Sequence, residues 1–122
     1  MSDKNNLQFR SEVTIEEGKI EEYKQLAQEM NKEVEANEPD TISYQIYLDK
    51  AETKGIAWET YANSEAVFAH MQGVASQTIL PKIHSVSKIS RLDVYSNPNE
   101  ELRKVLTSFG PQIHTLLAGF SR

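Results

Sequence analysis

The chain contains no cysteine, which excludes disulfides, thiolate metal sites, iron–sulfur clusters and a nucleophilic thiol in one step. It also lacks an excess of positive charge: 18 acidic against 13 basic residues leave a formal charge of −5, which argues against nucleic acid as a partner. No apolar run approaches the roughly 18 to 20 residues that a membrane span needs, and residues 1–6 are polar, unlike a secretory signal. These absences lead us to expect a cytoplasmic protein with no membrane partner. Missing too are a glycine-rich dinucleotide loop, a phosphate-cradling loop, a serine elbow and a histidine pair at helical spacing. A dinucleotide cofactor is therefore not expected.

What is present is enough for one core. With 122 residues and 39% apolar content, the chain reads as a single domain over residues 1–122. Leu7, Phe9, Val13 and Ile15 fall on one side at period two, the pattern of a half-buried strand. Ile20, Tyr23, Leu26, Ala27, Met30 and Val34 then recur at three and four, which is a long amphipathic helix. Thr14 and Glu17 have capping-box spacing, although Gly18 allows a later start.

After Pro39 and Asp40, Ile42, Tyr44, Ile46 and Leu48 alternate with polar residues, and a hairpin-length link through Gly55 leads to a β-rich stretch at 56–62. Asn63 and Ser64 can cap a second helix whose Val67, Met71, Val74, Ala75 and Thr78 share a face until Pro81. A fourth strand follows at 89–95. The order β-α-β-β-α-β gives an α+β, ferredoxin-like fold over residues 7–95, an antiparallel sheet with both helices on one face. Its other face is expected to pack on a second copy, as a homodimer. Residues 99–122 form an extension: Asn99 caps a helix carrying Leu102, Val105, Leu106 and Phe109, and 112–120 add a strand to this sheet or the partner's.

Ionisable groups at apolar positions are the candidates for chemistry. His70 lies one turn from both Val67 and Val74, at the edge of an apolar stripe, where an imidazole could reach a cavity. Its plainer reading is a buried histidine satisfied by a carbonyl. Glu59 and Tyr61 share the face of the third strand opposite Ile56, Trp58 and Thr60. A carboxylate there can orient a histidine or take a proton, and a phenol can donate to a developing oxyanion. A solvated glutamate and a packing tyrosine are the plain alternatives. Trp58, Tyr44, Phe68 and Met71 could line an apolar pocket for an aromatic ligand, or be ordinary core. A metal site from Glu59, His70 and His84 would need a direction for His84 that the proline leaves open, so no metal is expected. His114 has no evident companion and is expected to face solvent.

Glu59, Tyr61, Ala66 and His70 together resemble the motif of the antibiotic biosynthesis monooxygenase family. Glu17, Gly18 and Lys19 before the first helix, and Ile42, Ser43 and Tyr44 in the second strand, are similar to it as well. The resemblance covers residues 7–95, and the tail looks like an extension carried by a subset of relatives. It implies a dimeric α/β barrel with a cavity in each protomer, and activities that include cofactor-independent oxygenation of aromatics and quinols, haem degradation, and isomerisation of a signalling sugar. The haem branch fits poorly, since Met71 stands where that branch has a tryptophan and Pro81 falls near its iron-ligating histidine. The leading expectation from this resemblance is a monooxygenase that needs no cofactor and acts on an aromatic or quinol-like small molecule, with His70 as base, Glu59 orienting it, Tyr61 binding the substrate oxygen, and Trp58, Phe68, Met71 and Tyr44 shaping the pocket. The alternatives are the isomerase, using the same three residues, and a non-catalytic binding or assembly dimer.

Overall fold

A computed structural model describes residues 6–122, so all but the last of the polar residues at 1–6 lie outside it. In chain order the elements are β1 (Leu7–Ile15), α1 (Ile20–Asn37), β2 (Thr41–Leu48), β3 (Lys54–Tyr61), α2 (Ser64–Gln72), a π-helical turn (Ala75–Ile79), α3 (Leu80–Ser85), β4 (Ser87–Tyr95), α4 (Glu100–Leu106), a 3₁₀ turn (Thr107–Phe109) and β5 (Gln112–His114). The sheet order is β2-β3-β1-β4-β5. β1 pairs antiparallel with β3 and β4, and β2 antiparallel with β3. This is the ferredoxin-like arrangement that the alternation of elements dictates, because each crossover helix skips one strand. The sheet stays open, and β5 joins its outer edge parallel to β4.

The period-two residues of β1 turn Leu7, Phe9, Val13 and Ile15 to the helices, and the α1 stripe of Tyr23, Leu26, Ala27, Met30 and Val34 covers them. Gly55 in β3 is required by that packing: a Cβ there would lie 2.1 Å from the Tyr23 hydroxyl. A second group, Leu7, Phe9, Tyr61, Val67, Val94, Leu102 and Leu106, brings α2 and α4 onto the same face. The extension is thus part of the core. The opposite sheet face carries Arg10, Trp58, Arg91, Asp93 and Tyr95, and the Trp58 and Tyr95 ring centroids lie 5.7 Å apart.

Several sequence expectations give way to local geometry. β1 runs through Thr14 and Ile15, so the Thr14–Glu17 capping box does not form; α1 starts at Ile20 with no side-chain cap. Ile42 is the extra residue of a β-bulge between Thr41 and Ser43, and it is exposed while Tyr44, Ile46 and Leu48 pack inward. The helix after Asn63 breaks at Gly73, whose backbone is extended, and resumes in the π turn, so Val74 and Thr78 leave the buried stripe. In α4, Leu102 and Leu106 are buried but Val105 is exposed, as is Phe109 in the 3₁₀ turn that follows. His114 has a companion after all: parallel pairing of β5 brings its Nε2 within 2.9 Å of Asp93 Oδ1 and stacks its ring on Tyr95 at 4.7 Å.

Candidate functional site

The backbone around Pro39 builds one half of the site. A residue preceding proline is driven out of the helical region, and Glu38 closes α1 with a non-helical backbone while its amide donates to the Val34 carbonyl. That turn sends the Glu38 side chain inward, where it is buried. Its Oε1 accepts from the Thr41 hydroxyl at 2.9 Å and lies 2.7 Å from His70 Nδ1. The facing backbone leaves little room: a Cβ at Gly73 would sit 3.2 Å from Glu38 Oε2 and 3.2 Å from the Ala69 carbonyl, so a neighbour would have to give by a few tenths of an ångström.

α2 supplies the histidine. The Asn63 side chain accepts the Ala66 amide at 2.9 Å, which fixes the first turn. Ala66, Val67 and His70 then share the buried face, at one-turn spacing. Nδ1 of His70 is committed to Glu38, and Nε2 has no hydrogen-bond partner among the described residues.

β2 and β3 close the other side. Glu59 stands in register between Phe9 of β1 and Tyr44 of β2. The Tyr61 hydroxyl, two residues along the same face, donates to Glu59 Oε1. The rings of Tyr44 and Tyr61 lie 5.5 and 5.4 Å from the His70 ring, centroid to centroid, and Phe9 meets Tyr61 edge-on at 5.5 Å.

Burial governs the electrostatics. It pushes the Glu59 carboxyl above its ordinary range, against the pull of the neighbouring His70 and the hydrogen bond from Tyr61. Burial also holds the Tyr44 and Tyr61 phenols well above theirs, reinforced by the negative charge of Glu59 and Glu38. Both phenols therefore keep their protons and act as donors. The result is an imidazole oriented at one nitrogen, a carboxyl poised to hold a proton, and two phenols, all within one buried cluster. Such a set can remove a proton and stabilise the oxyanion left behind.

The model of the antibiotic biosynthesis monooxygenase family matches residues 10–81, more than half of the 122. The chain belongs to this family. No curated protein matches its sequence. Among solved structures, MupZ from Pseudomonas fluorescens superposes with a TM-score of 0.82 at 23% identity, over 97% of this chain and 95% of MupZ. A Bacteroides thetaiotaomicron protein described as a possible oxidoreductase gives 0.67 at 17% identity over 75% of this chain and 96% of its own. Rv0793 from Mycobacterium tuberculosis gives 0.65 at 13% over 78% and 97%. At these identities the likeness is one of fold. The shorter matches are about the size of the β1–β4 core, whereas the likeness to MupZ extends over nearly the whole chain.

Within the antibiotic biosynthesis monooxygenase match lie Glu38, Tyr44, Glu59, Tyr61 and His70, the five residues of the cluster. Of the residues that sequence reasoning singled out, His70, Glu59, Tyr61 and Tyr44 come together. Phe68 and Met71 are partly buried on α2 against the second core group. Trp58 lies on the other face of the sheet, beside Tyr95, and does not border this cluster in its own chain. Glu59 is engaged by Tyr61, and the hydrogen-bonded partner of His70 is Glu38, which sequence reasoning passed over. The one signal available was a glutamate directly before proline at a helix end, a position that usually means a solvated turn. His84 is exposed on α3, and among the described residues no group of three or more His, Asp or Glu side chains could hold a metal ion. No described helix is long and apolar enough to cross a membrane.

Proposed function

We propose that this protein is an acid–base enzyme that oxygenates an aromatic, hydroquinone-like small molecule without a cofactor. The observation that supports this reading best is the buried His70, oriented by Glu38 at Nδ1 and flanked by two phenols that keep their protons. In this reading Nε2 of His70 takes the proton of a substrate hydroxyl, and Tyr44 donates to the phenolate oxygen, joined by Tyr61 when its single hydroxyl proton turns from Glu59 to the substrate. The anion is electron-rich enough to reduce molecular oxygen. One oxygen atom bonds to a ring carbon, and the other leaves as water with two substrate hydrogens. A hydroquinone thereby becomes a hydroxyquinone, and all four electrons come from the substrate. Glu38, rather than Glu59, sets the tautomer of the base, while Glu59 holds Tyr61 in place.

A second reading is an isomerase-type proton transfer that uses no oxygen. The raised carboxyl of Glu59 favours it, because a proton-holding carboxyl beside a free imidazole nitrogen makes an acid and a base in one site. Oxygen uptake with a panel of hydroquinones, measured for the native protein and for His70→Ala, tests both. The expected result is uptake that falls at least about a hundredfold in the variant. Turnover without uptake, abolished by His70→Ala, would select the isomerase-type reading. Uptake that survives in the variant would overturn the assignment of the base.

A further inference from the structure

We infer that Ser11 binds the second oxygen of the substrate in a hollow over Ala57, and so selects hydroquinones over simple phenols; the assignment rests on the proposed function. Ser11 is the one polar residue on the face of β1 that otherwise carries Leu7, Phe9, Val13 and Ile15. Ala57 lies between Glu59 and Gly55 on the same, helix-facing side of β3. The two are direct cross-strand partners, and Ile46 of β2 and Leu92 of β4 continue their row to either side.

This row is open where its neighbours are closed. β1 and β3 each have a strand on both sides, so neither Ser11 nor Ala57 can meet solvent at a sheet edge. Glu59, Phe9 and Val94 in the row on one side, and Gly55 and Val13 on the other, are buried under the helices. Ile46, Ala57, Ser11 and Leu92 all stay partly exposed. The core explains why, because it falls into two groups. One gathers at Val13 and Ile15 under α1 and α3, the other at Leu7 and Phe9 under α2 and α4. Ser11 and Ala57 belong to neither group, and side chains this small do not fill the space between them. Close-packed interiors seldom leave such a gap, and an apolar hollow with a few converging polar groups is the usual form of a small-molecule site.

The polar groups around the gap set what it holds. The row of Glu59 and Tyr44, with His70 against Tyr44, borders it on one side. On the other, the Tyr23 phenol occupies the space above Gly55 and closes that end. Ser11 has no hydrogen-bond partner among the described residues. Its hydroxyl is not sealed in either, since among the described residues Ser76 Oγ is the one side-chain polar atom both shut off from water and unpartnered. Nε2 of His70 is open in the same sense. A ring lying over Ala57 with one hydroxyl toward the His70 row has its far side beside Ser11, whose Cβ is about 5 Å from that of Ala57. A serine hydroxyl both donates and accepts, so it can hold the second hydroxyl of a hydroquinone and the carbonyl of the quinone product.

Anaerobic calorimetry tests this without turnover. The native chain should bind 1,4-naphthohydroquinone about tenfold more tightly than 1-naphthol, which lacks only the second hydroxyl; that is the preference one hydrogen bond supplies. Ser11→Ala should abolish the preference by weakening the hydroquinone alone, with 1-naphthol unmoved. Ala57→Val reports on the hollow itself. Its urea midpoint should stay at or above the native value, because the added methyl groups enter open space, while both compounds bind at least about tenfold more weakly. Equal native affinities, no binding of either compound, or a Ser11→Ala protein that keeps the preference would each overturn the inference. So would an Ala57→Val protein whose midpoint falls as in an overpacked core, or whose binding is unchanged. The preference found in a chain that takes up no oxygen with any hydroquinone would leave the Ser11 assignment standing while removing the proposed reaction.

Discussion

Glu38 Oε1 lies 2.7 Å from His70 Nδ1, joining the end of α1 to the last turn of α2 across 32 positions of sequence. The contact fixes which imidazole nitrogen is free, and with it the direction in which a proton can move. The Thr41 hydroxyl donates to the same oxygen at 2.9 Å, so the chain Thr41–Glu38–His70 is held in place before any substrate arrives.

Glu38→Gln keeps an acceptor for Nδ1–H but removes the charge that stabilises the imidazolium formed during turnover. We expect kcat to fall by about ten- to a hundredfold with KM little changed. Glu38→Ala should lose more, because nothing then selects the tautomer. Steady-state kinetics across pH check this. A variant whose loss lies wholly in KM would place Glu38 in binding rather than in orientation.

Glu59→Gln separates chemistry from stability. The folded-state carboxyl is raised by burial, so the native protein is favoured while Glu59 is protonated. It loses that advantage as pH rises from the unfolded carboxyl range through the raised folded value. Glutamine still accepts from Tyr61 and cannot ionise. Urea unfolding followed against pH should show the variant to be at least as stable as the native chain at neutral pH, with that decline absent. An equal decline in both proteins would mean that Glu59 is not the group responsible.

Asp93→Asn tests the cluster that holds β5. The Arg91 guanidinium first, and His114 second, lower the Asp93 carboxyl to about 2. Its stabilisation is therefore complete above the ordinary aspartate range and lost as pH falls through the lowered value. Asparagine leaves Arg91 and His114 facing a neutral acceptor. The expected cost is about 1–3 kcal/mol at neutral pH, together with faster amide exchange in β5 while β1–β3 keep their protection. Uniform exchange throughout the sheet would contradict a local role.

Much of this architecture could be read from the chain itself. Strict alternation in β1, the three-four spacing of α1 and the turn residues around Pro39 specify the β-α-β-β-α-β order, because each depends only on neighbours in sequence. Alternation also places Trp58 opposite Glu59 and Tyr61, and the structure puts it there, which is at odds with its expected place in the same pocket. What local pattern could not show is whatever depends on register or on a distant partner. The bulge at Ile42 adds one residue to β2 and exposes a side chain that alternation buries. Glu38 acquires its role from a histidine 32 residues away. His114 acquires its companion only when β5 chooses a parallel partner. In each case the deciding information is a pairing in space.

The account rests on one protonation pattern: in the resting protein, His70 carries its proton on Nδ1, facing Glu38, and leaves Nε2 bare to receive the proton of a substrate. Nitrogen-15 NMR of the imidazole rings measures this directly, and with three histidines in the chain, single substitutions assign each signal. The account predicts that the signals lost in His70→Ala are a protonated Nδ1 and an unprotonated Nε2, with Glu38→Ala perturbing the same pair. A proton found on Nε2, or a His70 pattern indifferent to the loss of Glu38, would contradict it.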